Sequence, residues 1–112
     1  MTSNAPLWQG WSAPRPVPLL TLEAALCAAH DVRPERLHGS RIGKLTLFRS
    51  ILLAIAVDVT LTPPALCARR YGLTPAGVVC AVDRARAQLR AQPELRWALA
   101  GVLCPLGFVI PC

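Results

Sequence analysis

The sequence predicts an all-α protein, a compact bundle of about six helices that contains a helix-turn-helix. Helix-forming Ala, Leu and Arg dominate the composition, and no long segment alternates apolar and polar residues as a half-buried strand would. Many of the 11 prolines stand where a helix-periodic segment begins, a position at which the missing N–H of proline is not needed. With 112 residues, 54% of them hydrophobic, the chain has the size and composition of one globular domain.

Three segments are expected along the chain. Residues 1–18 are predicted to be a flexible N-terminal arm, 19–103 the helix-turn-helix domain, and 104–112 an apolar C-terminal tail. Trp8 and Trp11 are the aromatic groups of the arm, and we expect them to fold back on the core.

The first half of the domain is predicted to hold two helices and a short turn. A helix from about Leu22 to His30, capped by Thr21, has its apolar residues at helical spacing. The sequence PERLH then predicts a helical turn that begins at Pro34. After the polar, basic loop SRIGK, a helix from about Leu45 to Thr60 is apolar nearly all round, as expected of a central core helix.

The second half begins with two helices that are separated by a single residue. Thr62 is a suitable cap for a helix over Pro63–Tyr71, and Gly72 can adopt the left-handed conformation that ends it. The start signal then repeats, because Thr74 caps a second helix that extends to Arg90. A helix, a sharp glycine turn and a second helix form the unit that places a recognition helix in a DNA groove. A last helix is predicted over Pro93–Leu103.

A helical wheel of residues 74–90 separates a core face from an outer face. The outer residues near the amino end, Ala76 and Gly77, are small and lack the hydrogen-bonding groups that discriminate bases. Asp83 also points outward, and Arg84, Arg86 and Arg90 flank the helix. The wheel therefore predicts DNA binding through phosphates and shape, with weak direct readout. The core face is predicted to consist of Val78, Val82, Ala85 and Leu89.

The excess of positive charge is confined to the segment that contains the two-helix unit. Residues 41–90 hold eight basic and two acidic residues, 8 − 2 = +6, whereas the remaining residues hold four of each, 4 − 4 = 0. A local positive field of this kind favours a polyanionic partner. In the SRIGK loop, Arg41 and Lys44 flank a glycine, and a loop arginine can enter a narrow minor groove.

The cysteines and histidines do not form a metal site or a disulfide framework. The five cysteines include no CxxC pair, and neither histidine lies at ligand spacing from them. We expect Cys27, Cys67 and Cys80 to be small, mostly buried thiols, and Cys104 and Cys112 to lie in a more exposed tail.

Two stretches of the chain resemble the C-terminal DNA-binding domain (domain IV) of the bacterial replication initiator DnaA. RSILLAIAVDVT at 49–60 is similar to that family's core helix, and PALCARRYG at 64–72 to its first helix-turn-helix helix. The similarity extends over about residues 20–100. It implies a fold of six or seven helices and double-stranded DNA as the ligand. It also implies that Arg41 enters the minor groove and that Arg49 lies near the DNA backbone.

The chain departs from that family at the recognition helix. The family's Asp-His-Thr-Thr-Val signature reads Pro75, Ala76, Gly77, Val78, Val79 here, so only the last valine is kept. No GxxxxGK[ST] loop is present either, and a nucleotide cofactor is therefore not expected. The resemblance implies a DNA-binding domain used outside the initiator, in a transcription regulator.

The sequence therefore favours a bacterial DNA-binding regulator without catalytic activity, cofactor or metal. Its expected location is the cytoplasm, associated with the nucleoid, because the N-terminus has no secretory pattern and the most apolar run is too short to span a membrane. The alternative is a protein-interaction module on the same fold that binds another regulator, a replication factor or RNA polymerase. An enzyme is disfavoured because no Ser/His/Asp or Cys/His set stands at meaningful spacing. The predicted DNA contacts are Arg41, Lys44, Arg49, Arg69, Arg70, Thr74, Ala76, Gly77, Arg84 and Arg86.

Overall fold

The described part of the chain, residues 5–38 and 43–110 of a computed structural model, is mostly helical and contains no strand. It has five α-helices of eight or more residues, which is close to the predicted six, and one four-residue helical turn, α1. Two 3₁₀ segments, Pro34–Leu37 and Cys104–Leu106, complete it. The elements are α1 Ala5–Trp8, α2 Leu19–Ala29, α3 Gly43–Asp58, α4 Pro64–Tyr71, α5 Pro75–Ala91 and α6 Pro93–Leu103.

Helix α3 is the centre of the molecule, as its apolar sequence predicts. Every residue from Leu52 to Ala56 has a fully buried side chain, so neighbours surround this helix on all sides. Its most extensive partner is α5, while α2 and α4 pack on other sides of it. The predicted central core helix is therefore confirmed, with bounds two residues earlier than expected at each end.

The first helix begins earlier than its cap signal suggests. Helix α2 starts at Leu19, after Pro18 in an extended conformation, and Thr21 lies inside it rather than capping it. The predicted turn at Pro34 is confirmed as a 3₁₀ segment that buries Leu37. Both helix and turn pack against α3.

Part of the predicted flexible arm is packed against the rest of the molecule. Leu7 and Trp8 are buried, so the expected fold-back of Trp8 is confirmed. Trp11 is half-buried and contacts the Trp8 ring edge-on at a centroid distance of 5.0 Å. Further along, Ser12 and Val109 form an isolated antiparallel bridge through two backbone hydrogen bonds, which ties the arm to the C-terminal segment.

The C-terminal segment after α6 contributes to the core through one aromatic ring. Phe108 is buried, and Gly107 before it adopts a left-handed conformation with φ of +95°. The bounds of α6 agree with the predicted helix at both ends. Across the described residues, no helix is long and apolar enough to cross a membrane.

Candidate nucleic-acid interface

The connection between α4 and α5 consists of three residues whose geometry follows from local sequence. Gly72 ends α4 with φ of +67° and ψ of +34°, the left-handed conformation that its sequence position predicts. Thr74 begins α5 by accepting a hydrogen bond from the Gly77 amide at 3.0 Å. Leu73 lies between them, half-buried, and its amide donates to the Ala68 carbonyl.

The start of α4 differs from the expectation in one respect. Thr62 does not cap this helix, because Pro63 is the N-cap residue and no side chain provides a cap hydrogen bond. The Thr62 hydroxyl instead pairs with the Thr60 hydroxyl at 3.0 Å, and its amide donates to the Ala56 carbonyl. Pro63 and Pro64 are sufficient to start the helix because their φ angle is fixed at a helical value.

Helix α5 presents the two faces that the helical wheel predicts. On the outer face, Ala76 and Asp83 are exposed and Gly77 is half-buried. Cys80 was expected to be mostly buried and is exposed, because its wheel position lies on this outer face. The predicted core face is confirmed, since Val78, Val82, Ala85 and Leu89 are all buried.

Arg70 is held by a carboxylate of α2, although 35% of its side chain is exposed. Its Nη2 donates to Glu23 Oε2 at 2.8 Å and its Nε to Glu23 Oε1 at 3.2 Å. The hydroxyl of fully buried Tyr71 donates to the same Glu23 oxygen at 2.8 Å. The bidentate bond and burial of Glu23 indicate that Arg70 serves the fold, by joining α4 to α2.

Arg86 is held in a second cluster, on the side of α5 that faces the end of α3. Its Nη2 and Nε donate to the two oxygens of Asp58 at 2.6 and 3.0 Å, and Nη1 donates to Asp83 at 2.9 Å. Trp8 Nε1 donates to Asp58 as well, at 2.8 Å. The cluster thus links α1, α3 and α5, and the Arg86 guanidinium is occupied within the fold.

Arg49 lies beneath the surface rather than near a DNA backbone. It is only 8% exposed, and its Nη1 donates to the Leu37 carbonyl at 2.8 Å, which fastens the 3₁₀ segment to α3. Its Nε is buried without a hydrogen-bond partner among the described residues. Burial, and then the nearby positive charge of Arg84, lower the pKa of Arg49.

Three predicted basic contacts do lie on the surface. Lys44, Arg69 and Arg84 are exposed, and within the described residues none of them forms an ion pair. Arg84 lines an open depression of about 330 Å³ together with Gly43, Thr46, Leu47 and Ser50 of α3. Because Gly43 is the first residue of α3, the depression places Arg84 of α5 beside the amino end of α3. Gly43 and Lys44, which were predicted to belong to the SRIGK loop, lie in this helix. Arg41 lies outside the described residues.

Sequence reasoning missed the residues that organise these clusters. Glu23 and Asp58 are buried or nearly buried carboxylates that neutralise Arg70 and Arg86, and the indole of Trp8 completes one cluster. The only sequence signal for Glu23 is its place beside the apolar residue Leu22 on a helix, which is too common to identify an ion pair. Glu23 is 47 residues from Arg70, and Asp58 is 28 residues from Arg86, so local sequence patterns do not reveal these pairs.

The described residues contain no candidate metal centre, and one of their buried thiols is held protonated. They contain no group of three His, Cys, Asp or Glu side chains that would hold a metal ion. Burial, and then the charge of Glu23, raise the pKa of the Cys27 thiol to about 11, so Cys27 is not a thiolate at neutral pH. Cys67 is also buried and Cys104 is exposed, as expected, whereas Cys112 lies outside the described residues.

Comparison with protein-family models, with curated proteins and with solved structures finds no match to this chain.

Proposed function

We propose that this chain binds double-stranded DNA and acts as a transcription regulator or as the DNA-binding part of one. In this proposal α4 and α5 act as a helix-turn-helix, and α5 enters the major groove. Arg41 of the SRIGK loop enters the minor groove, as the resemblance to the DnaA domain implies. The location that follows is the bacterial cytoplasm, in association with the nucleoid.

The observation that carries the proposal is the position of Arg84 beside the amino end of α3. The exposed cation of α5 therefore adjoins the first turn of α3, whose amino end carries the positive end of the helix dipole. A DNA duplex that contacts α5 would meet positive charge from both elements. Arg69, on the last turn of α4, adds an exposed cation to the first helix of the unit.

The ion pairs leave the net charge of the chain at +6 and concentrate half of its carboxylates in two clusters. Arg70 and Arg86 together bind Glu23, Asp58 and Asp83, so two of the 12 basic residues engage three of the six acidic ones. The other basic residues outnumber the other acidic ones by ten to three, 12 − 2 against 6 − 3. Such an imbalance favours a polyanion over a neutral partner.

The proposed readout is dominated by phosphates. Ala76 and Gly77 offer a methyl group and backbone at the start of α5, which suits close approach but not base discrimination. Thr74 uses its oxygen to accept the cap hydrogen bond, which leaves its hydroxyl proton to donate to a phosphate. We therefore expect modest sequence preference and a strong dependence on salt.

The test is binding to random-sequence duplex DNA of about 30 base pairs. Fluorescence anisotropy monitors the binding at about 50 mM and about 200 mM salt. The proposal predicts micromolar binding that weakens steeply at the higher salt concentration, because each neutralised phosphate contributes about −0.9 to the salt slope. Absence of binding at low salt would reject it.

A protein-interaction module on the same fold is the second candidate, and exposed apolar side chains near the two-helix unit favour it. Leu61, Leu66 and Val79, which lie in or just before α4 and α5, are 78%, 49% and 52% exposed. Trp8 of the arm does not add to this surface, because it is buried. Salt-insensitive capture of a protein partner, lost in Val79→Ser and kept in Arg84→Gln, would favour this candidate over DNA binding.

A further inference from the structure

A second depression lies at the amino end of α3, on the flank away from Arg84. It has a volume of about 590 Å³ and opens to solvent between the end of α2, the 3₁₀ segment and the first turns of α3. The size is that of a site for a small molecule rather than for a single ion. Lys44 is the one predicted DNA contact among the described residues that line it.

The side chains around the depression combine three cations with an apolar floor. Arg33, Arg36 and Lys44 are all exposed and line it, while Asp31 contributes the one carboxylate among the described lining residues. None of the four forms an ion pair within the described residues, so the net charge of the lining is positive. Phe48, which is half-buried, adds an aromatic side chain to the lining, and its ring contacts that of His30 edge-on at a centroid distance of 5.6 Å.

The local backbone holds these groups in place. The Arg36 amide donates to the Arg33 carbonyl at 2.9 Å, so the two arginines are fixed on one turn of the 3₁₀ segment. That segment is fastened in turn to α3 by the bond from Arg49 to the Leu37 carbonyl. Lys44 lies in the first turn of α3, where the positive end of the helix dipole adds to its own charge.

We propose that this depression binds a nucleotide, with Arg33, Arg36 and Lys44 holding its phosphate and Phe48 contacting its base or sugar. Guanidinium groups bind phosphate through paired hydrogen bonds, and aromatic rings stack on bases of any sequence. The site uses side chains, and the lack of a GxxxxGK[ST] loop therefore does not bear on it. The phosphate belongs either to a free nucleotide or to a DNA strand, since both present the same phosphate group. In a duplex the bases are stacked on one another, so contact between Phe48 and a base is expected with the free nucleotide.

The first experiment is calorimetric titration of the full chain with each of the four deoxynucleoside monophosphates. Arg33→Gln and Arg36→Gln are each expected to weaken binding about tenfold, because each removes a charge-assisted hydrogen bond to the phosphate. Arg15→Gln is the matched control, since Arg15 is exposed and does not line the depression. Competition by inorganic phosphate then tests whether the cations bind the phosphate. Competition by the nucleoside tests whether Phe48 contacts the base or sugar.

A variant of opposite sign makes the test sharper. Asp31→Asn removes the one negative charge and is expected to strengthen nucleotide binding by about threefold. Asp31 has φ of +54°, and asparagine tolerates this left-handed conformation as well as aspartate does, so the local fold is kept. A general loss of structure would not raise the nucleotide affinity of Asp31→Asn while lowering that of Arg36→Gln.

The second experiment repeats the same variants with duplex DNA, and only this arm rests on the proposed function. Changes in mononucleotide binding identify a free nucleotide as the ligand, whereas changes in duplex binding alone identify a phosphate of the DNA strand. If wild type binds mononucleotides but not duplex, the proposed function fails and the site stands. If none of the variants changes either affinity, or if neither ligand binds, the site is rejected.

Discussion

Arg86 donates to both oxygens of Asp58, at 2.6 and 3.0 Å, across a contact in which Asp58 also accepts a hydrogen bond from the Trp8 indole. The side chains of Asp58 and Arg86 are only 8% and 20% exposed. An arginine that the sequence places on the flank of a recognition helix is therefore committed to holding three elements together. Substitution of Arg86 is therefore expected to lower the stability of the protein in the first place.

Asp58→Asn is predicted to destabilise the protein by about 3 kcal/mol, because it leaves the Arg86 guanidinium partly buried without its main counter-charge. Urea denaturation followed by circular dichroism measures this change. Asp83→Asn is the control, since the Asp83 side chain is 63% exposed and its bond to Arg86 is expected to contribute less than about 1 kcal/mol. Equal effects of the two variants would contradict the account of the cluster.

Gly72→Ala and Gly101→Ala are predicted to change stability in opposite directions. At Gly72 the backbone has φ of +67°, so a Cβ costs about 1 kcal/mol through backbone strain although no atom lies within 4 Å of it. Gly101 lies inside α6 with open space around it, so alanine is expected to stabilise by about 0.5–1 kcal/mol through helix propensity. Thermal unfolding of both variants checks the prediction, and a stabilising Gly72→Ala would show that the turn is not left-handed.

Tyr71 is predicted to make folding sensitive to alkaline pH. Burial, and then its bond to Glu23, raise the pKa of Tyr71 well above its usual value of 10.0. Because the folded pKa is raised, the stability due to Tyr71 is fully present below pH 10.0 and is lost as the pH rises above it. The stability difference between wild type and Tyr71→Phe is therefore expected to shrink above that pH.

Urea denaturation of wild type and Tyr71→Phe at a series of alkaline pH values measures this difference. The cysteines and other groups titrate in both proteins and cancel in the comparison. Tyr71 is the only tyrosine in the chain, so the phenolate absorption of the folded protein reports its ionisation directly. A stability difference that stays constant through pH 10, or a phenolate signal before unfolding, would contradict the assigned burial.

Ala76→Asp is predicted to abolish duplex binding while leaving the fold intact. Ala76 is exposed near the amino end of α5, so the new carboxylate meets solvent in the free protein and phosphates in the proposed complex. Anisotropy with duplex DNA and a thermal unfolding curve test the two halves of this prediction. If affinity is retained in Ala76→Asp, α5 does not face the groove.

Arg41→Ala is predicted to weaken duplex binding more than a substitution of an exposed arginine away from the two-helix unit. Arg15 is the proper reference for this comparison. Arg96 is unsuitable, because its Nη1 donates to the Leu7 carbonyl at 2.6 Å and its Nε is buried. Equal losses for Arg41→Ala and Arg15→Ala in duplex anisotropy would remove the minor-groove assignment.

Local signals in the sequence predicted the helices well, and long-range contacts explain what they missed. The stop at Gly72, the cap at Thr74 and the bounds of α6 follow from residues within one turn of each helix end. Arg70 forms an ion pair with Glu23, which is 47 residues away in the sequence. Tertiary packing, which local patterns do not show, buries this carboxylate. The sequence therefore shows how many cations the chain has, while the fold decides which of them remain available to a ligand.

The most direct test of DNA binding through α5 is the salt dependence of duplex affinity for wild type, Arg84→Gln and Arg15→Gln. Arg84 is exposed and adjoins the amino end of α3, so its loss is expected to lower affinity and to reduce the magnitude of the salt slope by about 1. Arg15→Gln is expected to leave both quantities near those of wild type. An affinity and slope unchanged by Arg84→Gln, or no duplex binding by wild type at low salt, would contradict DNA binding through α5.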